Sequence, residues 1–261
     1  SHLISPNEIL DHHPLLDVSD VKLGFWTPND GWSDPSSSTN AMAKGARQLG
    51  AEVARHTLVT DMNLLPDGKW EVATDKGSVI AEHVVNAAGC YAPQLGEMVG
   101  YEVPIVSVIH QYLVTEAIPE VAKLDFDLPV IRDPRASCYY RREIDGLIVG
   151  PYEREGAELY GVDGIDWDLH FYLTPPNHDV LLPWLELAAK RIPVFEELKL
   201  TGGWAGYYDT NKLDNNAIVG KHPAYKNVYL ATGFTGRGVL QSPGIGRGLA
   251  ELITTGSYQT I

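Results

Sequence analysis

The sequence predicts a chain of mixed α/β and α+β class, in which a partial Rossmann-like layer of strand–turn–helix units is interrupted by an antiparallel-sheet domain. Three observations carry this. Two short apolar runs, "HVVNAAG" (83–89) and "NVYLATG" (227–233), each feed a small-residue turn and then a helical stretch, as buried strands do when they hand the chain to a helix. Between them, "SVIHQYLVTE" (107–116), "CYYRREIDGLIVGPYE" (138–153) and "GGWAGYYDT" (202–210) alternate in period two, the pattern of strands with one face on a core and the other on solvent or ligand. The periodicity switches at Pro104 and switches back after Asp209. The expected division is a discontinuous strand-and-helix part at 29–103 and 211–261, and an antiparallel-sheet part at 1–28 and 104–210.

The elements follow in order. Ser5-Pro6-Asn7-Glu8 reads as an N-cap and first turn, with Ile9 and Leu10 inward. "VKLGFWTP" (21–28) reads as a strand and "NDGWSDP" (29–35) as a turn-rich loop. A helix over 36–53 carries Ala41, Ala43, Ala46 and Leu49, with Gly50 as its C-cap. A strand over 52–62 follows, then a hairpin over 69–89 turning at Lys76-Gly77. After the antiparallel centre, "PPNHDVLLPWLELAAKRIP" (175–193) is helical, with Pro183 inside or at a break. "SPGIGRGLAELITTG" (242–256) closes the chain as a helix whose first turn takes Pro243.

Composition narrows the function. A chain of 261 residues with 44% hydrophobic residues can bury a substantial core. Its formal net charge of −14 argues against a nucleic-acid partner, which needs an excess of Lys and Arg. Two cysteines, Cys90 and Cys138, make neither a disulfide framework nor a thiolate metal site, and a reducing, cytoplasmic compartment is the expectation. No apolar run approaches the ~20 residues of a membrane span. No metal constellation stands out, since His12-His13 is an adjacent pair rather than an i,i+4 pair.

The densest signal is "ATGFTGRGVLQSPGIGRGLAEL" (231–252). Gly233, Gly236 and Gly238 let backbone come close to a ligand. The N–H groups of the helix start that follows favour an anionic or electron-rich group. Gly244, Gly246 and Gly248 then permit close helix–sheet packing, and the same glycines also fit a helix start that only packs. No Lys-Ser/Thr follows them, so this is not a P-loop. The turn after 83–89 has the same design, and both turns together suit a cofactor at the C-terminal edge of a parallel sheet.

These residues carry a family resemblance. "VVNAAGCYAPQLG" and "YLATGFTGRGVLQSPGIGRGLAELITTG" resemble the second flavin-binding strand–turn and the C-terminal flavin loop and helix of the D-amino-acid oxidase (DAO) superfamily of FAD-dependent oxidoreductases. "HQYLVTEAIPEV" with "LPVIRDPRASCYYRREIDGLIVGPYE" is similar to its dimethylglycine and sarcosine dehydrogenase branch. "LELAAKRIPVFEELKLTGGWAGYYDTNKLDNNAIVG" is similar to FAD-dependent oxidoreductase domain-containing proteins, some tied to respiratory complex I assembly. Members begin with a strand–G-x-G-x-x-G–helix unit for the FAD pyrophosphate. These 261 residues contain none, and they resemble roughly the C-terminal two-thirds of a member. The missing unit is then expected as a partner segment, on this chain's own reading frame or on another chain, and exposed strand faces at 53–59 and 83–89 should seek cover from it or from a homodimer.

The resemblance implies a DAO-type fold with FAD as cofactor, bound noncovalently because residues 202–209 hold no Cys, and bound weakly or not at all by these residues alone. It places Val59, Ala88, Gly89, Gly233, Phe234, Gly236, Gly238 and Leu240 at the cofactor. It places His110 and Tyr139 beside the flavin as catalytic groups. His110 would relay an amine proton and Tyr139 would orient substrate through its O–H. From the residues alone His110 reads more readily as a hydrogen-bonded core group, and it is the resemblance that moves it to the flavin. Tyr139 and Arg141 share one strand face, so Arg141 is a candidate carboxylate clamp or a solvated edge residue. Tyr152, Tyr207 and Tyr208 are substrate-pocket candidates, with Tyr152 better suited to plain aromatic packing. Members often bind the substrate carboxylate with an Arg on the 202–209 strand and a Lys at the place of Leu240, and this sequence has neither. The implied activity is hydride transfer from a secondary or tertiary amine or an amino acid, sarcosine- or dimethylglycine-like. The alternatives are a flavoprotein-fold assembly factor or a fragment inactive by itself.

Overall fold

Local signals set the early elements. The Ser5 hydroxyl accepts the Glu8 N–H (3.4 Å) while Glu8 accepts the Ser5 N–H (2.7 Å), a capping box that starts a helix with Pro6 at its first position. Asp34 caps the next helix through the Ser37 N–H at 2.7 Å, again with Pro following. The computed structural model describes residues 1–152, 159–160, 165–167, 169 and 173–260.

In chain order the elements are β1 (His2–Ile4), α1 (Pro6–His12), β2 (Gly24–Trp26), α2 (Pro35–Gln48), β3 (Val59–Leu64), β4 (Trp70–Thr74), β5 (Gly77–Ala81), β6 (Val84–Asn86) and α3 (Ala92–Met98). The centre holds β7 (Ile105–Thr115), α4 (Pro119–Ala122), β8 (Ile131–Asp133), β9 (Cys138–Glu143), β10 (Gly146–Pro151), β11 (Leu159–Tyr160) and α5 (His178–Arg191). β12 (Leu200–Asn211), β13 (Ile218–Lys221), β14 (Val228–Thr232) and α6 (Gly238–Thr255) complete the chain. Contacts divide it into two compact units, Ser1–Ser33 with Ile109–Glu158 and Phe171–Gly206, and Asp34–Val108 with Leu159–His170 and Tyr207–Ile261.

The first unit is built on antiparallel strands in the order β7–β10–β9–β8. Its register puts Val149 between Tyr140 and Leu113, and Gly150 opposite Tyr139, which in turn faces Arg132. Because side chains alternate, the two faces differ in kind. Leu113, Cys138, Tyr140, Leu147 and Val149 are buried on one face with Leu181, Ala188 and Ile192 of α5 and its C-terminal end. His110, Tyr112, Tyr139, Arg141 and Arg132 take the other face. Pro183 sits inside α5, whose N-cap is Asn177. The end of α5 is tied down by buried Arg191, paired with Asp133 (2.6 Å) and Asp20 (2.8 Å).

The second unit holds two three-stranded sheets, β3–β4–β5 and β13–β14–β6. β6 and β14, the two apolar runs from opposite parts of the sequence, lie side by side in parallel, with Val84 opposite Val228 and Asn86 opposite Leu230. Trp70 anchors a core with Met62, Val99 and Val228, its indole N–H donating to Asn227 at 3.2 Å. Tyr229 packs with Leu249 and Leu252 of α6.

Four expectations are corrected. Residues 52–58 are not strand: the β3 ladder begins at Val59 opposite Thr74, and Leu58 instead exchanges hydrogen bonds with Asp75. The 69–89 hairpin stops at Ala81 and turns at Asp75-Lys76, and β6 leaves it to pair with β14. The last helix starts at Gly238, which makes Pro243 interior. The carbonyl of Val239, which a residue with an N–H at 243 would bond, accepts the Ser242 hydroxyl at 3.3 Å instead. Finally, Gly244 and Gly246 do not serve close packing, since a Cβ on either would meet nothing within 4 Å.

Candidate functional site

In the first unit, the polar face of the sheet gathers three rings. His110 on β7 stacks on Tyr152 with centroids 5.5 Å apart, Tyr139 on β9 lies 5.6 Å from Tyr152, and His110 lies 6.4 Å from Tyr139. All three are half-buried. Gly150 makes this possible: a Cβ there would lie 2.5 Å from the Tyr139 hydroxyl and closer still to its ring. Burial pushes the Tyr139 phenol up to about 12, with neighbouring Tyr152 adding to the effect, so Tyr139 is an O–H donor at neutral pH. Tyr152 is raised by the same cause, opposed by Arg132.

Arg141 shares this face but is engaged. Its Nη2 donates to Glu143 at 2.7 Å, and its guanidinium lies 4.3 Å from the Trp32 ring centroid. Arg132 was not singled out in the sequence. It lies on the same face through its pairing with Tyr139, with its guanidinium 5.0 Å from the Tyr152 ring centroid. A surface hollow at the β9–β10 turn, lined by Trp32, Phe126, Arg142 and Ile144, contains none of the three rings.

In the second unit, the parallel pairing sets the turns after β6 and β14 at one sheet edge. The Thr232 hydroxyl bonds the Gly89 carbonyl at 3.4 Å across them. Asp209 builds the β14 loop. Its carboxylate accepts the N–H of Gly233 (2.8 Å) and Phe234 (3.4 Å), and its carbonyl accepts the N–H of Thr235 (3.1 Å). Burial raises the Asp209 pKa, opposed by those two N–H groups. Gly233 and Gly236 hold φ of 72° and 74°, and a Cβ on Gly236 would lie 2.7 Å from the Tyr208 ring. The loop is therefore filled from below by the protein's own side chains. Its outer side is open: α6 starts at Gly238 with no side-chain cap, and Val239 and Leu240 are exposed. Gly89, at φ 57°, has nothing within 4 Å of a Cβ position. Two open turns beside an uncapped helix start fit a planar, electron-rich group such as a flavin.

Among the sequence-derived candidates, Ala88, Gly89, Gly233, Phe234, Gly236 and Gly238 come together here, with Tyr208 beneath them and Leu240 at the rim. Tyr207 precedes Tyr208 on β12. Val59 stands apart, on β3 beside the Met62–Trp70 core. Asp209 was missed, because a lone acid after two tyrosines carries no sequence signal. Tyr112 and Arg132 were legible only as alternation and register. Among the described residues no cluster of His, Cys, Asp and Glu can hold a metal, and no helix is long and apolar enough to cross a membrane.

Known proteins resemble this chain along nearly its whole length. The chain is 38% identical over 259 residues to mouse dimethylglycine dehydrogenase, mitochondrial, covering 98% of the chain and 30% of the relative. It is 31% identical over 269 residues to mouse sarcosine dehydrogenase, mitochondrial, covering 98% and 28%. The chain thus spans under a third of the length of these two relatives. The crystal structure of L-proline dehydrogenase from P. horikoshii superimposes with a TM-score of 0.84 at 29% identity, covering 99% of the chain and 66% of that protein. The family model described as DAO, FAD dependent oxidoreductase, matches residues 1–252, and the chain belongs to that FAD-using family.

Proposed function

We propose that the chain belongs to an oxidoreductase that oxidises a secondary or tertiary amine or an amino acid, with a sarcosine- or dimethylglycine-like substrate. The observation that carries this is the convergence of His110, Tyr139 and Tyr152 on the polar face of the first unit's sheet. His110 offers a base for the amine proton. Tyr139, a phenol whose burial moves its pKa further above neutral, offers an O–H that orients the substrate nitrogen or carboxylate. The half-buried rings exclude water from one side of the substrate, which strengthens both interactions.

FAD, held noncovalently, would supply the two-electron acceptor. The turns at 88–89 and 233–238 and the start of α6 are the residues that would hold it. The α6 start carries no side-chain cap, so its first backbone N–H groups are the donors that would stabilise developing negative charge there. The relatives' names, dimethylglycine dehydrogenase and sarcosine dehydrogenase, support the amine class. The test is anaerobic mixing of the FAD-loaded protein with sarcosine, dimethylglycine and proline. Loss of the flavin's visible band with one of them supports the reading, and a flavin reduced by dithionite but by no amine defeats it.

A further inference from the structure

We propose that the hollow at the β9–β10 turn docks a basic protein partner, one that presents an apolar side chain flanked by Lys or Arg. The proposal stands apart from the amine reading, since none of the three rings lines the hollow.

The walls are built before anything docks. The hollow measures about 560 Å³. Arg142 on β9 ties its two sides together: Nε donates to the Ile144 carbonyl at 2.8 Å, and Nη1 to the Phe126 carbonyl at 3.0 Å. Trp32 is steadied by the Arg141 guanidinium, 4.3 Å from its ring centroid. Walls fixed in advance lose little entropy on binding. The apolar lining is nonetheless left to solvent: Phe126 is 41% exposed, Trp32 59% and Ile144 82%. Such walls enclose a small molecule poorly, whereas side chains projecting from a larger surface fill them.

Ile144 is the sharpest sign. It opens the two-residue turn between Glu143 and Gly146, with φ 56°. That left-handed backbone favours Gly or Asn and is unfavourable for a β-branched residue. At its exposure, packing within the chain offsets little of the strain. A strained, outward apolar side chain at a hairpin tip suits a contact with another molecule.

Charge decides which molecule. Asp125, Asp127 and Asp145 line the same hollow. Arg142 is 3.9 Å from both Asp127 and Asp145, the outer limit of an ion pair, and the Asp127 side chain is 98% exposed. Asp125 meets no cation among the described residues. A second copy of this chain would bring the same three carboxylates against these, on a molecule with a formal charge of −14. A basic surface meets them with opposite charge, which steers its approach and fixes its register.

The test uses the FAD-loaded protein and a fluorescent helical peptide of leucines and lysines, with the leucines along one face. Two control peptides replace Lys by Glu, or Leu by Ser. Anisotropy should show saturable binding of the Leu/Lys peptide alone among the three. Its Kd should rise about tenfold in Ile144→Gly, and about tenfold in the double variant Asp125→Asn, Asp127→Asn. Ile144→Gly should melt close to or above the wild-type temperature, because glycine relieves the turn. No binding by wild type, equal binding of the Ser/Lys peptide, or unchanged affinity in Ile144→Gly would overturn the proposal. A clearly lower melting temperature for Ile144→Gly would overturn it too, by showing that the side chain serves the hairpin itself. Sedimentation of the protein alone gives the last outcome: a dimer that Ile144→Gly dissolves would make a second copy the occupant and defeat the basic partner.

Discussion

Gly150 and Tyr139 stand directly opposite one another across β10 and β9, and the Tyr139 ring occupies the space a side chain on Gly150 would need. The strand has a glycine there because of the aromatic beside it. Gly150 is not among the positive-φ glycines, so the backbone accepts alanine and only the ring must move. Gly150→Ala should lower amine-driven flavin reduction by up to about 100-fold, the cost of misplacing a positioning group by about 1 Å. Melting should stay near wild type, since the face is half-open. Stopped-flow reduction beside a thermal melt checks both, and an unchanged rate would remove Tyr139 from the site.

His110 is expected to contribute more than Tyr139. His110→Ala should slow flavin reduction about 10²–10⁴-fold, the range for a lost general base. Tyr139→Phe removes one hydrogen bond and keeps the ring, so its effect should be smaller and weighted toward KM. Single-turnover reduction of FAD-loaded variants checks the order, and a larger loss in Tyr139→Phe would reverse the roles.

Asp209 holds the β14 loop through the N–H groups of Gly233 and Phe234. Asp209→Ala leaves both donors without their acceptor and should weaken FAD binding about tenfold or more, given about 1.5–3 kcal/mol for a hydrogen bond to a charged group. Asp209→Asn keeps an acceptor oxygen and should lose less. FAD titration by flavin fluorescence separates the two, and equal affinity for wild type and Asp209→Ala would show that the loop holds its shape unaided.

Buried His13 gives a pH dependence whose sign is fixed. Burial lowers its pKa from 6.5 to about 4. Between those values the unfolded chain takes up a proton that the folded chain refuses. Stability should be full above about pH 6.5 and decline as pH falls toward 4, by up to about 3 kcal/mol. His13→Gln should flatten that part of the profile relative to wild type. Urea midpoints at pH 7, 5.5 and 4.5 measure the difference, and parallel profiles would contradict it.

Much of this was legible in the residues. The Ser5 capping box and the Asn177-capped α5 follow from local rules that need no tertiary partner. The period-two run around His110 announced a two-faced strand, and the apolar runs at 83–89 and 227–233 announced the parallel pair. What could not be read depended on partners distant in sequence. Residues 52–58 look like strand by composition, yet the ladder starts only where Thr74 is available. Pro243 reads as a helix start until Ser242 is seen serving the Val239 carbonyl. Arg132 sits in a three-residue strand, and its place beside the rings follows from the β8–β9 register. Asp209 acts through backbone N–H groups more than twenty residues away.

The central claim is that the residues around His110 and Tyr139 serve an amine oxidation in an FAD-dependent protein. Anaerobic titration of the FAD-loaded protein with sarcosine, dimethylglycine and proline, with dithionite as the endpoint, tests it most directly. Stoichiometric bleaching of the flavin by at least one of these amines, much slowed in His110→Ala, is the expected result. A bound flavin that dithionite reduces fully but no amine reduces, or one that His110→Ala reduces at the wild-type rate, would contradict it.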